Sequence, residues 1–107
     1  MALGIMNWNL PPSGPSDEYT QRAQTAWIPT VLRQAGVTEF RAYRNPHDHH
    51  LHVMVETEFD SLDHLNAWVN SDEYAQLKNE LAEYGATDIS DQTWDASPVV
   101  PLPIRPT

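Results

Sequence analysis

Hydrophobic and polar positions along residues 3–10 alternate as in a strand with two apolar faces. Leu3 and Ile5 share one side with Asn7 and Asn9, and Met6, Trp8 and Leu10 share the other. Pro11-Pro12-Ser13-Gly14-Pro15 ends the strand, because proline has no N–H for a ladder and glycine relaxes the turn. Ser16 is placed to cap a helix, with Asp17 and Glu18 where the helix dipole favours negative charge. Tyr19, Ala23, Ala26, Trp27, Val31 and Ala35 follow at helical spacing, and Gly36 suits the position just past the end. Pro29 interrupts this pattern. It cannot bond back to Thr25, so it predicts a kink or a second short segment.

Val37 to Tyr43 predicts a second strand, and Asn45-Pro46-His47-Asp48 a turn short enough for a hairpin. His50 to Phe59 shows the clearest alternation: Leu51, Val53, Val55, Thr57 and Phe59 against His50, His52, Met54, Glu56 and Glu58. Asp60 or Ser61 caps the next helix, which carries Leu62, Leu65, Trp68 and Val69. Ser71-Asp72-Glu73 predicts a brief break, after which Tyr74, Leu77, Leu81 and Tyr84 resume and Gly85 stops the helix. Thr87 to Asp95 is a weaker strand. Prolines 98, 101, 103 and 106 make residues 96–107 an extended arm.

Strand, helix, strand, strand, helix, strand over residues 1–95 is the α+β, ferredoxin-like βαββαβ order: a four-stranded antiparallel sheet with two helices on one face. Met6, Trp8, Leu10 and Met54 are then expected on the face the helices leave open. A second copy would cover it, which predicts a homodimer closing into an α/β barrel.

Charge narrows the partners. Six Lys and Arg against fifteen Asp and Glu give a net −9, too few cations to neutralise nucleic-acid phosphates or to favour an anionic membrane. No apolar run is long enough to span a bilayer and no signal peptide is visible, so a cytoplasmic location is expected. The absence of cysteine excludes disulfides, thiolate metal sites and cysteine nucleophiles.

The run Glu58-Phe59-Asp60-Ser61-Leu62-Asp63-His64-Leu65-Asn66-Ala67-Trp68-Val69-Asn70-Ser71-Asp72-Glu73-Tyr74 resembles the dimeric α/β-barrel superfamily, in particular its antibiotic-biosynthesis-monooxygenase-like domains. The resemblance covers residues 3–95 and implies a homodimer. It points to two chemistries. Cofactor-free quinone-forming oxygenases would place their functional residues at His64, Trp68 and Tyr74, with His64 standing where the family has Asn and Asp88 near its basic residue. Haem-degrading members would use Asn7 or Asn9 with Trp68, but Lys78 stands at the haem-ligating His position. An ammonium is no iron ligand at neutral pH, so no haem and no other cofactor is expected.

The residues themselves leave two readings of Trp68. It is either a plain core residue or the wall of a pocket shared with Trp27, Asn7 and Asn9 between sheet and helices. An aromatic or apolar small molecule is the expected ligand, with His64 as base and Tyr74 as donor to a developing oxyanion. The alternative is a non-enzymatic dimer with a filled core. His47, His49, His50 and His52 invite a metal reading, but their spacing matches no established site, and no metal is expected.

Overall fold

The computed structural model of the chain describes residues 1–47, 51–100 and 103–107. Its sheet contains β1 (Ala2–Asn9), β2 (Val37–Arg44), β3 (His52–Phe59) and β4 (Thr87–Asp95), in the spatial order β2-β3-β1-β4. All neighbouring strands run antiparallel. The helices are α1 (Asp17–Arg22), α2 (Ile28–Leu32), α3 (Leu62–Val69) and α4 (Asp72–Glu83). With the sheet beneath one helical layer, this is the expected ferredoxin-like fold.

The three serine caps form where the sequence places them. Ser16, Ser61 and Ser71 accept from the backbone N–H groups of Tyr19, His64 and Tyr74, and the cap at Ser71 separates α3 from α4. Pro29 is absorbed without breaking the chain of helix. Ala23–Trp27 forms a π turn, in which the Ile28 N–H reaches back to the Ala23 carbonyl, and α2 starts with Pro29 in its first turn. The helix stops at Leu32, so Ala35 lies in the turn beyond it. Leu51 has φ +53°, and β3 begins after it at His52; the expected start at His50 lies outside the described residues. Beyond Asp95, no helix or strand forms among the described residues of the tail.

The sides of β1 differ from expectation. Met6, Trp8 and Leu10 are buried under the helices, whereas Leu3, Ile5, Asn7 and Asn9 are half-buried on the open face. Alternation gave the right partition but could not choose the side, because both sets on β1 contain apolar residues. The pairing with β3 chooses it. Met6 lies opposite Val55 and Trp8 opposite Val53, while Asn7 lies opposite Met54 and Asn9 opposite His52. Only Met54 of the four expected residues stays on the open face.

Two polar contacts hold the helices in place. Glu80 on α4 accepts from Arg22 Nη2 at 2.7 Å and from Trp27 Nε1 at 3.0 Å, tying the first helical segment to the last. Asp60 accepts from His64 Nδ1 at 2.6 Å, and this pair packs over Gly36 at φ +87°. A side chain at residue 36 would collide with both.

Gly36→Ala is therefore expected to cost about 2 kcal/mol, combining left-handed backbone strain with that collision. Thermal unfolding should show a smaller loss when His64 is also changed to Ala, because the two sites are coupled. Equal losses in both backgrounds would sink this reading. The hydrogen bond from Arg22, with that from Trp27, holds the Glu80 carboxyl below its ordinary 4.5. A folded-state value below the unfolded one gives stability that is complete above about pH 4.5 and is lost as pH falls through the folded value. Arg22 is partly exposed, so screening limits the effect to about 1 kcal/mol. Glu80→Gln should lower the melting temperature at pH 7 by about 5 °C and by progressively less as pH falls below about 4.5. A pH-independent difference would count against it.

Candidate functional site

A cavity of about 150 Å³ lies between the sheet and the helices. Gly4, Met6 and Trp8 of β1 and Val53, Val55 and Thr57 of β3 form its floor. Trp27 of the π turn, Trp68 of α3 and Tyr74 and Leu77 of α4 face them. Gly4 is needed here, since a Cβ would approach Leu65 Cδ1 to 3.0 Å. The cavity is open to solvent, and Ala42, one of its lining residues, is exposed, which places access on the β2 side.

Aromatic rings pack edge to face around the space. Tyr19 and Trp27 have centroids 5.2 Å apart, and Trp68 and Tyr74 are 5.1 Å apart. Trp8 Nε1 donates to the Tyr19 hydroxyl at 3.1 Å. Tyr74 donates its hydroxyl proton to Asp91 Oδ2 at 3.0 Å, and Lys78 Nζ donates to the same oxygen at 3.1 Å. Burial, reinforced by Asp91, pushes the Tyr74 hydroxyl far above its ordinary 10.0. Burial works against the Asp91 charge, but donation from Lys78 and Tyr74 outweighs it and holds the carboxyl below 3.8. Of the lining side chains, only Tyr19 and Tyr74 are titratable. The wall is neutral.

Trp27, Trp68 and Tyr74 line this one cavity, and the other candidate residues do not join them. Asn7 and Asn9 lie on the opposite face of the sheet, because the register puts them beside Met54 and His52. There Asn9 Oδ1 is 2.8 Å from His52 Nδ1, Asn7 Oδ1 is 3.1 Å from His52 Nε2, and Asn9 Nδ2 donates to Asp88 at 3.1 Å. His64 points away from the cavity, on the exposed side of α3 with Asp60. It lies on the flank of the buried Leu65–Trp68 face, and its hydrogen bond to Asp60 holds it outside. Of the histidine cluster, His49 and His50 lie outside the described residues, and both ring nitrogens of His52 are occupied by asparagines. Among the described residues no three His, Asp or Glu side chains gather into a metal site. No helix is long and apolar enough to cross a membrane among the described residues.

Sequence reasoning missed Tyr19, Trp8 and Asp91. The signal for Trp8 was present in its alternation with Met6, and Tyr19 sits on the apolar stripe of its helix. Nothing local marks Asp91, which meets Tyr74 only through the packing of α4 on β4.

Known structures share this fold. SnoaB, a cofactor-independent oxygenase from Streptomyces nogalater, is 13% identical, with a TM-score of 0.64 over 94% of this chain and 96% of its own. Rv0793 from Mycobacterium tuberculosis is 12% identical, with a TM-score of 0.64 over 96% of this chain and 100% of its own. The NE2512 protein of Nitrosomonas europaea, of unknown function, is 13% identical, with a TM-score of 0.64 over 97% and 95%. No curated protein sequence matches the chain. A family model, antibiotic biosynthesis monooxygenase, matches residues 4–80. With that match across most of the sheet and helical layer, the chain belongs to the antibiotic biosynthesis monooxygenase family.

Proposed function

We propose that the protein is a cytoplasmic homodimer that binds a compact aromatic or otherwise apolar molecule between sheet and helices. The cavity carries this reading. A space of about 150 Å³ is the size of one known to hold a single benzene ring. Its walls are apolar with a few converging polar groups, which is the general character of a small-molecule site. A filled core, the alternative drawn from the sequence, would leave no such space beside Trp68 and β1.

The Tyr74–Asp91 pair favours a second reading, cofactor-free oxygenation of the bound ring. It is the one route among the described lining residues by which a proton can leave a neutral cavity. A phenol with a free para position would react with O₂ to give a quinone and water, the substrate supplying all the electrons. Its hydroxyl proton would pass to the Tyr74 oxygen as the Tyr74 proton passes to Asp91. Lys78 makes Asp91 a weak base, so turnover by this route is slow. SnoaB, described as a cofactor-independent oxygenase, shares the fold and supports the assignment of chemistry without naming the substrate. His64, held outside by Asp60, has no part in it.

The dimer rests on the open face. Leu3, Ile5 and Met54 are half-buried there, and Tyr43 and Trp94 are exposed at 46% and 55%. Apolar side chains grouped on one face of a sheet favour a second layer.

Calorimetry should show ethylbenzene binding to the protein and Trp68→Ala weakening it by about tenfold, a loss in the range of a buried aromatic contact. Oxygen uptake with a para-unsubstituted phenol should vanish in Tyr74→Phe and persist in His64→Ala. Absence of binding by any single-ring aromatic probe would overturn the site, and uptake unaffected by Tyr74→Phe would overturn the proton route. Light scattering should give about twice the chain mass of 12.2 kDa, with Trp94→Glu shifting the protein toward monomer. A wild-type species of one chain mass would remove the dimer.

A further inference from the structure

We infer that the Tyr19 hydroxyl reads the ligand, donating its proton to an acceptor oxygen of a neutral, carbonyl-bearing aromatic molecule. This rests on the cavity being a ligand site and states what that site selects. Tyr19 lines the cavity, and its oxygen already accepts from Trp8 Nε1 at 3.1 Å. Its own proton has no hydrogen-bond partner among the described residues. A hydroxyl that accepts one hydrogen bond becomes a better donor of the next, because the two bonds polarise each other. Two contacts fix the ring that carries it. Tyr19 N–H donates to the capping Ser16 Oγ at 3.0 Å, and its ring stands edge to face against Trp27, which Glu80 holds.

The remaining cavity chemistry sets the charge of the ligand. Arg, Lys and His are absent from the described residues of the lining. A carboxylate, ionised before it enters, would lose its water there without gaining a counter-charge. Asp91, behind Tyr74, and the chain's net charge of −9 oppose an anion further. A ring without an acceptor would leave the Tyr19 proton dry and unpaired, and a site with a waiting donor discriminates against such a ligand. A carbonyl oxygen satisfies the donor at no cost in charge. A quinone oxygen meets the same requirement, which suits the product of the proposed oxygenation.

Three probes of one ring size separate these terms: acetophenone with a carbonyl, ethylbenzene with no acceptor, and benzoate with a charge. Titration calorimetry on the full chain should show acetophenone binding about tenfold tighter than ethylbenzene, as expected for one net hydrogen bond, with benzoate weakest. In Tyr19→Phe, which keeps the ring and its packing, the acetophenone preference over ethylbenzene should fall to about unity. A preference that survives in Tyr19→Phe, or equal binding of the two neutral probes by the wild type, would overturn the role of Tyr19 and leave the cavity standing. Failure of all three probes to bind would overturn the cavity as a ligand site, and this inference with it.

Discussion

Glu80 receives hydrogen bonds from Arg22 and Trp27 with its two separate oxygens, so one carboxylate on α4 positions both α1 and the π turn. The cavity depends on that tie. The first helical segment meets the sheet mainly where α2 reaches β2, and elsewhere it is held laterally by Glu80 and by the Trp8–Tyr19 bond. A helix anchored by side-chain hydrogen bonds need not sink onto the strands to bury its surface. The π turn adds to this by turning Trp27 so that its ring faces the cavity while its N–H reaches Glu80. Apolar packing alone would have closed the gap.

An open gap carries a thermodynamic cost. At about 24 cal/mol per Å³, a dry void of 150 Å³ would destabilise the fold by about 3–4 kcal/mol. Solvent access makes that an upper bound. A domain of this size has little stability to spare, so that cost is a large fraction of the total. A ligand that fills it restores the missing contacts and stabilises the native state in proportion to its free concentration. The same geometry therefore links the weakness of the core to its capacity to bind.

Much of this was legible in the sequence. The serine caps, the break at Ser71, the span of β4 and the element order all follow from local chemistry that tertiary packing did not override. Trp27, Trp68 and Tyr74 were legible as inward positions because helical periodicity marks them against polar neighbours. The failures are of one kind. β1 has apolar residues on both faces, so its side was fixed by the register with β3, which no single strand reveals. Asn7 and Asn9 went to the wrong face for the same reason. Pro29 signalled a disturbance without specifying a π turn, since a kink satisfies the same missing N–H. Asp91 and Tyr19 became functional candidates only through partners 17 and 11 residues away.

The two faces of the sheet divide polar and apolar work in a way that explains the chain's charge. Glutamates 56 and 58 and Arg41 pair on the open face, and Asn7, Asn9, His52 and Asp88 form a hydrogen-bonded line across β3, β1 and β4. Charge is thus spent outside the cavity, where water or a partner can solvate it. Inside, the polar atoms of Trp8, Tyr19, Trp27 and Tyr74 bond to one another or to two carboxylates behind the wall, Asp91 and Glu80, which Lys78 and Arg22 hold ionised. A low-dielectric space ringed by an acidic exterior repels anions at a distance and fails to solvate them within. Neutral molecules face neither barrier. A molecule proposed to bind there would be sorted by shape and by the few donors in the wall.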